Sequence, residues 1–324
     1  MNKLHEELRI DLVAIDQLLG DVIDSDQDLP RPSVVYDHIH KLITSGGKRL
    51  RPIMVVVGGR FGVSGHQETI MKTAALFEYM HMASLIHDDI IDRSDLRRGQ
   101  PTLHKVTSVQ TAIHVANYMM ARVVEWAIGE NNEEDTYRVA EIAAVVTELC
   151  IGEFGQLRNR FNFDLTFEAY LDKTKRKTAL LMAECLKGGA KAAKADDEMC
   201  DLLFRFGEAV GIAFQIQDDV LDFTSPQEAI GKPAGADLRN GNVTLPVLFA
   251  LEDPALAPHI TSLHANSTEE EMSEIIALIT QSSAIERSLS CSRAYAEQAQ
   301  KLILPLSEHP AYFDLQVLAR YFLK

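Results

Sequence analysis

Two aspartate motifs carry the strongest chemical signal in the chain. Asp88-Asp89-Ile90-Ile91-Asp92 closes one long run of helical character, and Asp218-Asp219-Val220-Leu221-Asp222 closes another. On an α-helix, residues i and i+4 lie one above the other on the same face, so Asp88 pairs with Asp92 and Asp218 with Asp222. Asp89 and Asp219 fall about 100° round the helix, where they can support those ligands or reach a metal from the side. Carboxylates at a helix C-terminus oppose the macrodipole and therefore call for a cation. The donors are all oxygen, although His87 immediately precedes the first motif. Such a set predicts Mg²⁺, which keeps several waters and takes substrate phosphates; zinc would want closely spaced His or Cys. One such motif would read as a solvated helix end. Two, embedded in Ala83-Ser84-Leu85-Ile86 and Ile212-Ala213-Phe214-Gln215-Ile216, predict a pair of metal-binding jaws closing on one diphosphate.

Basic residues beside helix breaks are the second signal. Lys48, Arg49 and Arg51 follow Gly46-Gly47; Arg97 and Arg98 follow the first acidic motif; Lys173, Lys175, Arg176 and Lys177 precede Thr178; Lys232 lies beyond the second motif. Any one of these groups would usually be a solvated surface. Beside glycines or acidic motifs they read as anion sites, arginine offering a planar fork to phosphate oxygens and lysine a mobile point charge.

The elements that must position these groups are helices. Leu4, Leu8, Leu12, Ile15, Leu19 and Ile23 recur at three or four, as one amphipathic helix would. Ser33 can cap a second helix that stops at Gly46-Gly47, and Pro52 suits the first turn of a third. A segment from Gln67 to Asp92 contains neither Gly nor Pro. Further helices are expected over about 107–128, 134–161, 166–188 and 197–223, with polar loops at 93–104 and 224–242. No alternating strand pattern, solenoid repeat or linker is visible, so the chain is expected to be one all-α domain over 1–324.

Bulk composition narrows the function. A net charge of −15 argues against a nucleic-acid binder, which would show a basic face. Four widely spaced cysteines predict buried free thiols in a reducing cytosol. The N-terminal stretch mixes acids and bases with its apolar residues and does not read as a signal peptide, and no apolar run is long enough to span a bilayer. The expected location is cytoplasmic, with a peripheral membrane contact for product release as an option.

Taken together, GGKRLRP at 46–52, HMASLIHDDIIDRSDLRRGQPT at 81–102, KTALL at 177–181, FQIQDDVLDF at 214–223 and GKPAGADLRNGNVTLP at 231–246 resemble the trans-polyprenyl diphosphate synthases over the whole chain. The similarity is strongest to the catalytic subunit, component II, of bacterial heptaprenyl and hexaprenyl diphosphate synthases. It implies an isoprenoid synthase-type helical bundle around a central apolar cavity. It also implies an enzyme that condenses an allylic diphosphate, such as farnesyl diphosphate, with successive isopentenyl diphosphates to give a medium- or long-chain all-trans product for quinone side chains. By this resemblance Lys48, Arg51, His81 and Arg98 match the isopentenyl diphosphate site. Arg97, Lys177, Thr178, Gln215 and Lys232 match the surroundings of the allylic diphosphate, and Asp88, Asp92 and Asp218 match direct Mg²⁺ ligands. With Asp89, Asp219, Asp222, Arg97, Lys177 and Lys232, these form the candidate catalytic set. Homodimers, or heterodimers with a small regulatory subunit, occur among such proteins. Two positions depart from the usual pattern: Asn242 stands where a lysine is common, and Ala116-Asn117 where Gly-Asp is.

The implied chemistry is ionisation of the allylic diphosphate, attack by the isopentenyl double bond and loss of a proton, with released pyrophosphate as the base. A growing chain needs an apolar tunnel, and the residues one turn beneath Asp88 are the small Ala83 and Ser84. That places a floor lower, near Met80, Tyr79 or Phe77, and favours a heptaprenyl or hexaprenyl product. A shorter-chain synthase, a class I terpene cyclase, a non-catalytic subunit and a helical scaffold are the competing readings.

Overall fold

The structure is a computed structural model that describes residues 4–29, 31–44, 46–97, 99–129, 139–225 and 233–322. Among them the chain is helical apart from one antiparallel pair of two-residue strands, β1 (Leu96–Arg97) and β2 (Gln100–Pro101). The all-α class expected from sequence holds. The chain divides into two compact units.

The first unit comprises Met1–Val146, Glu184–Phe204 and Phe313–Val317. The amphipathic stripe at its start is not one helix. Arg9 adopts a left-handed φ of 53°, and Asp11 caps a fresh helix, α1 (Leu12–Ser25), by accepting from the N–H groups of Val13 and Ala14 at 2.9 and 3.4 Å. Leu4, Leu8, Ile15, Leu19 and Ile23 are nevertheless all buried, so the periodicity marked the right face and missed the break. Ser33 caps α2 (Val34–Thr44), its Oγ accepting from Tyr36 N–H at 3.1 Å. Then comes α3 (Leu50–Gly59), with Pro52 in its first turn. Central to the unit is α4 (Gln67–Ile91), 25 residues long. It packs on α1, on α3 and on α5 (Val109–Gly129). A helix touched on several sides is apolar around much of its girth, and Ile70, Ala74, Leu76, Phe77, Tyr79, Met80, Met82, Ala83 and Ile86 are all buried. Against α3 runs the end of another helix, and there a Cβ on Gly58 would meet the carbonyl of Leu186 and one on Gly189 the carbonyl of Val55; only glycine permits so close a crossing.

The second unit comprises Thr147–Ala183, Arg205–Tyr312 and Leu318–Lys324. It includes the latter part of α6 (Val139–Arg158) and all of α7 (Phe167–Thr174), which Thr166 caps through Ala169 N–H at 3.2 Å. The sequence predicts one helix over 166–188. The structure instead winds Lys175–Ala179 more widely, with Leu180 N–H reaching back five residues to Lys175, before α8 (Leu180–Ala192) resumes. Wide turns of this kind gather at functional sites, and this one carries Lys177 and Thr178. The second acidic motif ends α9 (Asp197–Thr224). Further on, α10 (Leu245–Leu251), α11 (Glu269–Gln281) and α12 (Ala284–Ile303) follow. Phe223, Leu238, Val243, Val247, Ile276 and Ile279 form one apolar core here; Tyr170, Ala179, Ile212, Ile216 and Leu245 form another.

All four cysteines are free. Cys185 and Cys200 are buried as expected, but Cys150 is exposed and Cys291 only half-buried. No helix among the described residues is long and apolar enough to cross a membrane.

Candidate active site

In the first unit, the Gly46-Gly47 turn and the start of α3 enclose a cavity of about 500 Å³ lined by Gly47, Lys48, Arg49, Leu50, Arg51, Glu78 and His81. Lys48, Arg51 and His81 were expected together, and the structure brings them together. Arg49, read from sequence as one more anion-binding cation, is instead held by carboxylates, and Glu78 was not anticipated. Arg49 is buried at a left-handed φ of 47°. Its Nε donates to Asp16 at 2.8 Å, its Nη1 to Glu78 at 2.9 Å and its Nη2 to the carbonyl of Ile43. A non-glycine residue held in that region carries strain that its surroundings must offset, and three hydrogen bonds supply the anchor. With Arg49 tied inward, its neighbours Lys48 and Arg51 line the cavity. The Nε of Arg51 is buried with no hydrogen-bond partner. Burial pushes the Arg51 pKa down, while Glu78 and, more weakly, Asp88 push it back up. A desolvated guanidinium in the wall of a cavity is suited to an anion, which would offset the cost of burying its charge.

The first acidic motif lies at the end of the same helix as His81. Asp88 and Asp92 are half-buried, and Asp92 N–H closes the helix on the Asp88 carbonyl at 2.8 Å. Asp89 is buried, and its Oδ1 accepts from Arg97 Nε at 2.8 Å and Nη2 at 2.5 Å. The β1–β2 pairing, Leu96 with Pro101 and Arg97 with Gln100, makes this possible, helped by left-handed φ values at Arg93 and Gly99. Arg97, expected beside the allylic diphosphate, here engages the middle aspartate of the motif. Nearby, the ring Nε2 of His87 meets the Asn117 amide oxygen at 3.2 Å, and Ala116 is fully buried. The departure at 116–117 therefore bears on the packing of α5 against α4. Arg98 lies outside the described residues.

In the second unit, Asp218 is exposed, Asp222 half-buried and Asp219 buried. Tyr170 donates its hydroxyl to Asp219 at 2.6 Å, and Gln215 its amide at 2.8 Å. The Gln215 oxygen accepts in turn from Thr178 at 2.7 Å. Thr178 and Gln215 thus join the motif, as expected, through a relay the sequence did not reveal. Lys177 pairs with Glu153 at 2.9 Å and donates to Gln156 at 3.1 Å. Burial, then the charge of Asp237, push Asp219 up to about 7 and likewise Asp222. Asp237 was missed from sequence. It adjoins Asp222, whose carboxylate accepts the Asp237 N–H at 3.2 Å and whose carbonyl accepts the Gly235 N–H at 2.8 Å. Lys232 lies outside the described residues.

Among the described residues no three His, Cys, Asp or Glu side chains converge into a ready-made metal cage. The donor set still suits Mg²⁺, which is bound by one or two carboxylates with waters and substrate phosphates completing its shell. Carboxylates whose pKa is raised by burial and by each other are those a divalent cation would return to the ionised state.

Comparison with known proteins agrees with this chemistry. A model of the family described as Polyprenyl synthetase matches residues 32–279. Component 2 of heptaprenyl diphosphate synthase from Bacillus subtilis (strain 168) is 37% identical over 314 residues, covering 97% of this chain and 88% of the relative. The same component from Geobacillus stearothermophilus is 38% identical over 310 residues, covering 95% and 94%. Among solved structures, heptaprenyl diphosphate synthase from Staphylococcus aureus superposes with a TM-score of 0.88 at 33% identity, covering 100% of this chain and 98% of that one. Polyprenyl synthase from Caulobacter crescentus CB15, complexed with calcium and isoprenyl diphosphate, gives 0.87 at 29% identity, with 99% and 96% covered.

Proposed function

The chain belongs to the polyprenyl synthetase family and is a trans-prenyltransferase that makes a long-chain polyprenyl diphosphate; we propose that it extends farnesyl diphosphate with isopentenyl diphosphate to the heptaprenyl or hexaprenyl level, with Mg²⁺ as cofactor. The observation that carries the substrate assignment is the cavity lined by Lys48, Arg51 and His81, three groups able to donate to phosphate oxygens. The diphosphate of isopentenyl diphosphate would supply the acceptors. The first acidic motif continues the same helix, so the olefin lies close to the carboxylates of Asp88 and Asp92.

Lys177, Thr178 and Gln215 hold the allylic diphosphate, joined by Arg97, Arg98 and Lys232. The allylic C1–O bond breaks, pyrophosphate leaves with its electron pair, and the isopentenyl double bond forms the new C–C bond. A proton is then lost, and pyrophosphate accepts it. Asp88 and Asp92 in the first motif and Asp218 in the second, with Asp222 as a further carboxylate, would hold Mg²⁺, which would supply neutralisation of charge on the departing oxygens. Cationic side chains fixed in advance stabilise the same developing charge without reorganisation, and the buried apolar residues of α4 keep water from the allylic cation.

The test is to incubate the purified chain with farnesyl diphosphate, isopentenyl diphosphate and Mg²⁺ and to separate the products by chromatography. Chain-extended products with seven or six isoprene units support the reading; cyclic hydrocarbons formed without isopentenyl diphosphate would replace it with a terpene cyclase. Similarity to component 2 proteins also supports a second, small subunit. Activity that rises on adding such a subunit fits that view, and full long-chain activity from the chain alone would favour a self-sufficient enzyme.

A further inference from the structure

The run Lys173, Lys175, Arg176, Lys177 reads as a single basic cluster in sequence, but the structure sends its members to different places. Lys175 pairs with Glu208 at 3.5 Å, Arg176 with Asp172 at 2.9 Å and with Glu148, and Lys177 with Glu153. Lys173 is different. Its Nζ donates to the carbonyl of Val243 at 3.3 Å and lies 5.5 Å above the ring of Tyr170, the residue that donates to Asp219. Burial pushes its pKa down, while Asp219 and then Asp237 push it back up. A lysine ammonium is thus set into the wall of the second acidic motif.

The acceptor it uses, the Val243 carbonyl, is adjacent to the neutral side chain of Asn242. Asn242 is buried and neutral, and it faces Asp237: its N–H donates to the Asp237 carbonyl at 2.8 Å, and its amide nitrogen lies 3.5 Å from the carboxylate. A cation is therefore present at this corner, brought by α7 from about seventy residues upstream. An ammonium has three donors, and Val243 takes one.

We propose that Lys173 binds the diphosphate of the allylic substrate beside Lys177, supplying the charge that position 242 lacks. Two neighbouring ammonium groups that repel each other are reconciled by a multiply charged anion that both can reach, and Lys177 lowers the Lys173 pKa as such a neighbour would. When the C1–O bond breaks, Lys173 donates to the oxygens of the departing pyrophosphate. The proposal rests on the prenyltransferase reading, and turnover by the unaltered chain tests that reading separately.

Lys173→Gln keeps a donor for Val243 and removes the charge. Loss of one charge-assisted hydrogen bond to phosphate should raise KM for farnesyl diphosphate about tenfold, with KM for isopentenyl diphosphate unchanged. Adding Asn242→Lys to that variant should recover most of the loss, because it returns a cation to the same corner. An unchanged allylic KM in Lys173→Gln overturns the proposal. So does a higher Mg²⁺ requirement with unchanged allylic KM, which would make Lys173 a support for Asp219 only, and so does failure of Asn242→Lys to rescue. If Lys173→Gln does not fold, Asn242→Lys alone decides. With Lys173 already in place, the added lysine should leave the allylic KM nearly constant; a drop of about fivefold or more would show that the corner had no cation.

Discussion

The two acidic motifs have the same spacing, yet each buries its middle aspartate by a different device. Asp89 is answered by a full positive charge, Arg97, delivered by a hairpin only eight residues downstream. Asp219 is hydrogen-bonded only by two neutral donors, the Tyr170 hydroxyl and the Gln215 amide; it lies within the field of Asp237, which the nearby Lys173 only partly offsets. Neutral donors do not offset the cost of burying a carboxylate as a guanidinium does, and Asp219 and Asp222 are pushed up to about 7 as a result. The first motif thus holds a cation in direct hydrogen bond with its buried aspartate, whereas the second has Lys173 acting only through space and leans more heavily on a cation it must bind. Identical spacing fixes which oxygens share a helix face; it does not fix the electrostatics of the site.

The largest expected effects test what the motifs share. Asp88→Ala and Asp218→Ala should each lower turnover by roughly a thousandfold or more with Mg²⁺ present, while circular dichroism shows the helical content retained. Near-normal turnover from either variant would remove that motif from the chemistry.

The next test separates them. Asp89→Asn leaves Arg97 beside a neutral amide and should destabilise the fold by about 1–2 kcal/mol, less than for a fully buried pair because Arg97 is still 27% exposed. Asp219→Asn removes a carboxylate whose ionisation opposes folding, so at pH 8 without Mg²⁺ it should hold or raise the melting temperature. Equal destabilisation of both variants in chemical denaturation would refute the contrast between the motifs.

A smaller effect comes from pH. For an acid whose folded pKa is raised from 3.8 to about 7, the folded state binds more protons than the unfolded state between those values, and stability falls as pH rises through that window. The metal-free protein should therefore lose a few degrees of Tm between pH 5.5 and 8. Mg²⁺ with pyrophosphate should recover the loss at pH 8 and do little at pH 5.5, and Asp219→Asn should flatten the metal-free profile. A pH-independent Tm in differential scanning calorimetry would show that the second motif is not short of a cation.

Much of this was legible in the residues, for definite reasons. Helical class follows from local periodicity and caps, as at Ser33 and in the Gly- and Pro-free α4, and the paired aspartates follow from helix geometry alone. What was not legible depends on partners far off in sequence or on local backbone exceptions. The break at Arg9 and the wide turn at Lys175–Ala179 leave no trace in a hydrophobic stripe, because the apolar residues keep their face. Arg49 reads as one more loop cation until Asp16 and Glu78 are seen to hold it inward. The sequence shows Lys173 only as part of a charge run, and Asp237 only as a residue after a glycine. The sequence clue nearest to that corner was Asn242, whose neighbour Val243 accepts from Lys173.

The last comparison concerns product length. One turn and a little more before Asp88, α4 carries Ser84 and Ala83; at the same level before Asp218, α9 carries Phe214 and Ala213. Phe214 is already engaged, its ring meeting Phe322 edge-on with centroids 5.3 Å apart. Ala83 is fully buried, and so, further down α4, are Met80, Tyr79 and Phe77. A prenyl chain that elongates along α4 would pass the small side chains first and meet the bulky ones two to three turns down. Ala83→Tyr should then place a ring across the path one turn below the metal site and shorten the product toward farnesyl or geranylgeranyl diphosphate, with the first condensation little affected. Phe214→Ala should leave the product distribution unchanged, since its ring is packed against Phe322. Forcing a tyrosine into a packed core would instead unfold the protein or strain it, so the variant must first show a cooperative melt and turnover of farnesyl diphosphate. A folded, active Ala83→Tyr enzyme with unaltered products on reversed-phase chromatography, or a shortened product from Phe214→Ala, would mean that the chain does not grow along α4.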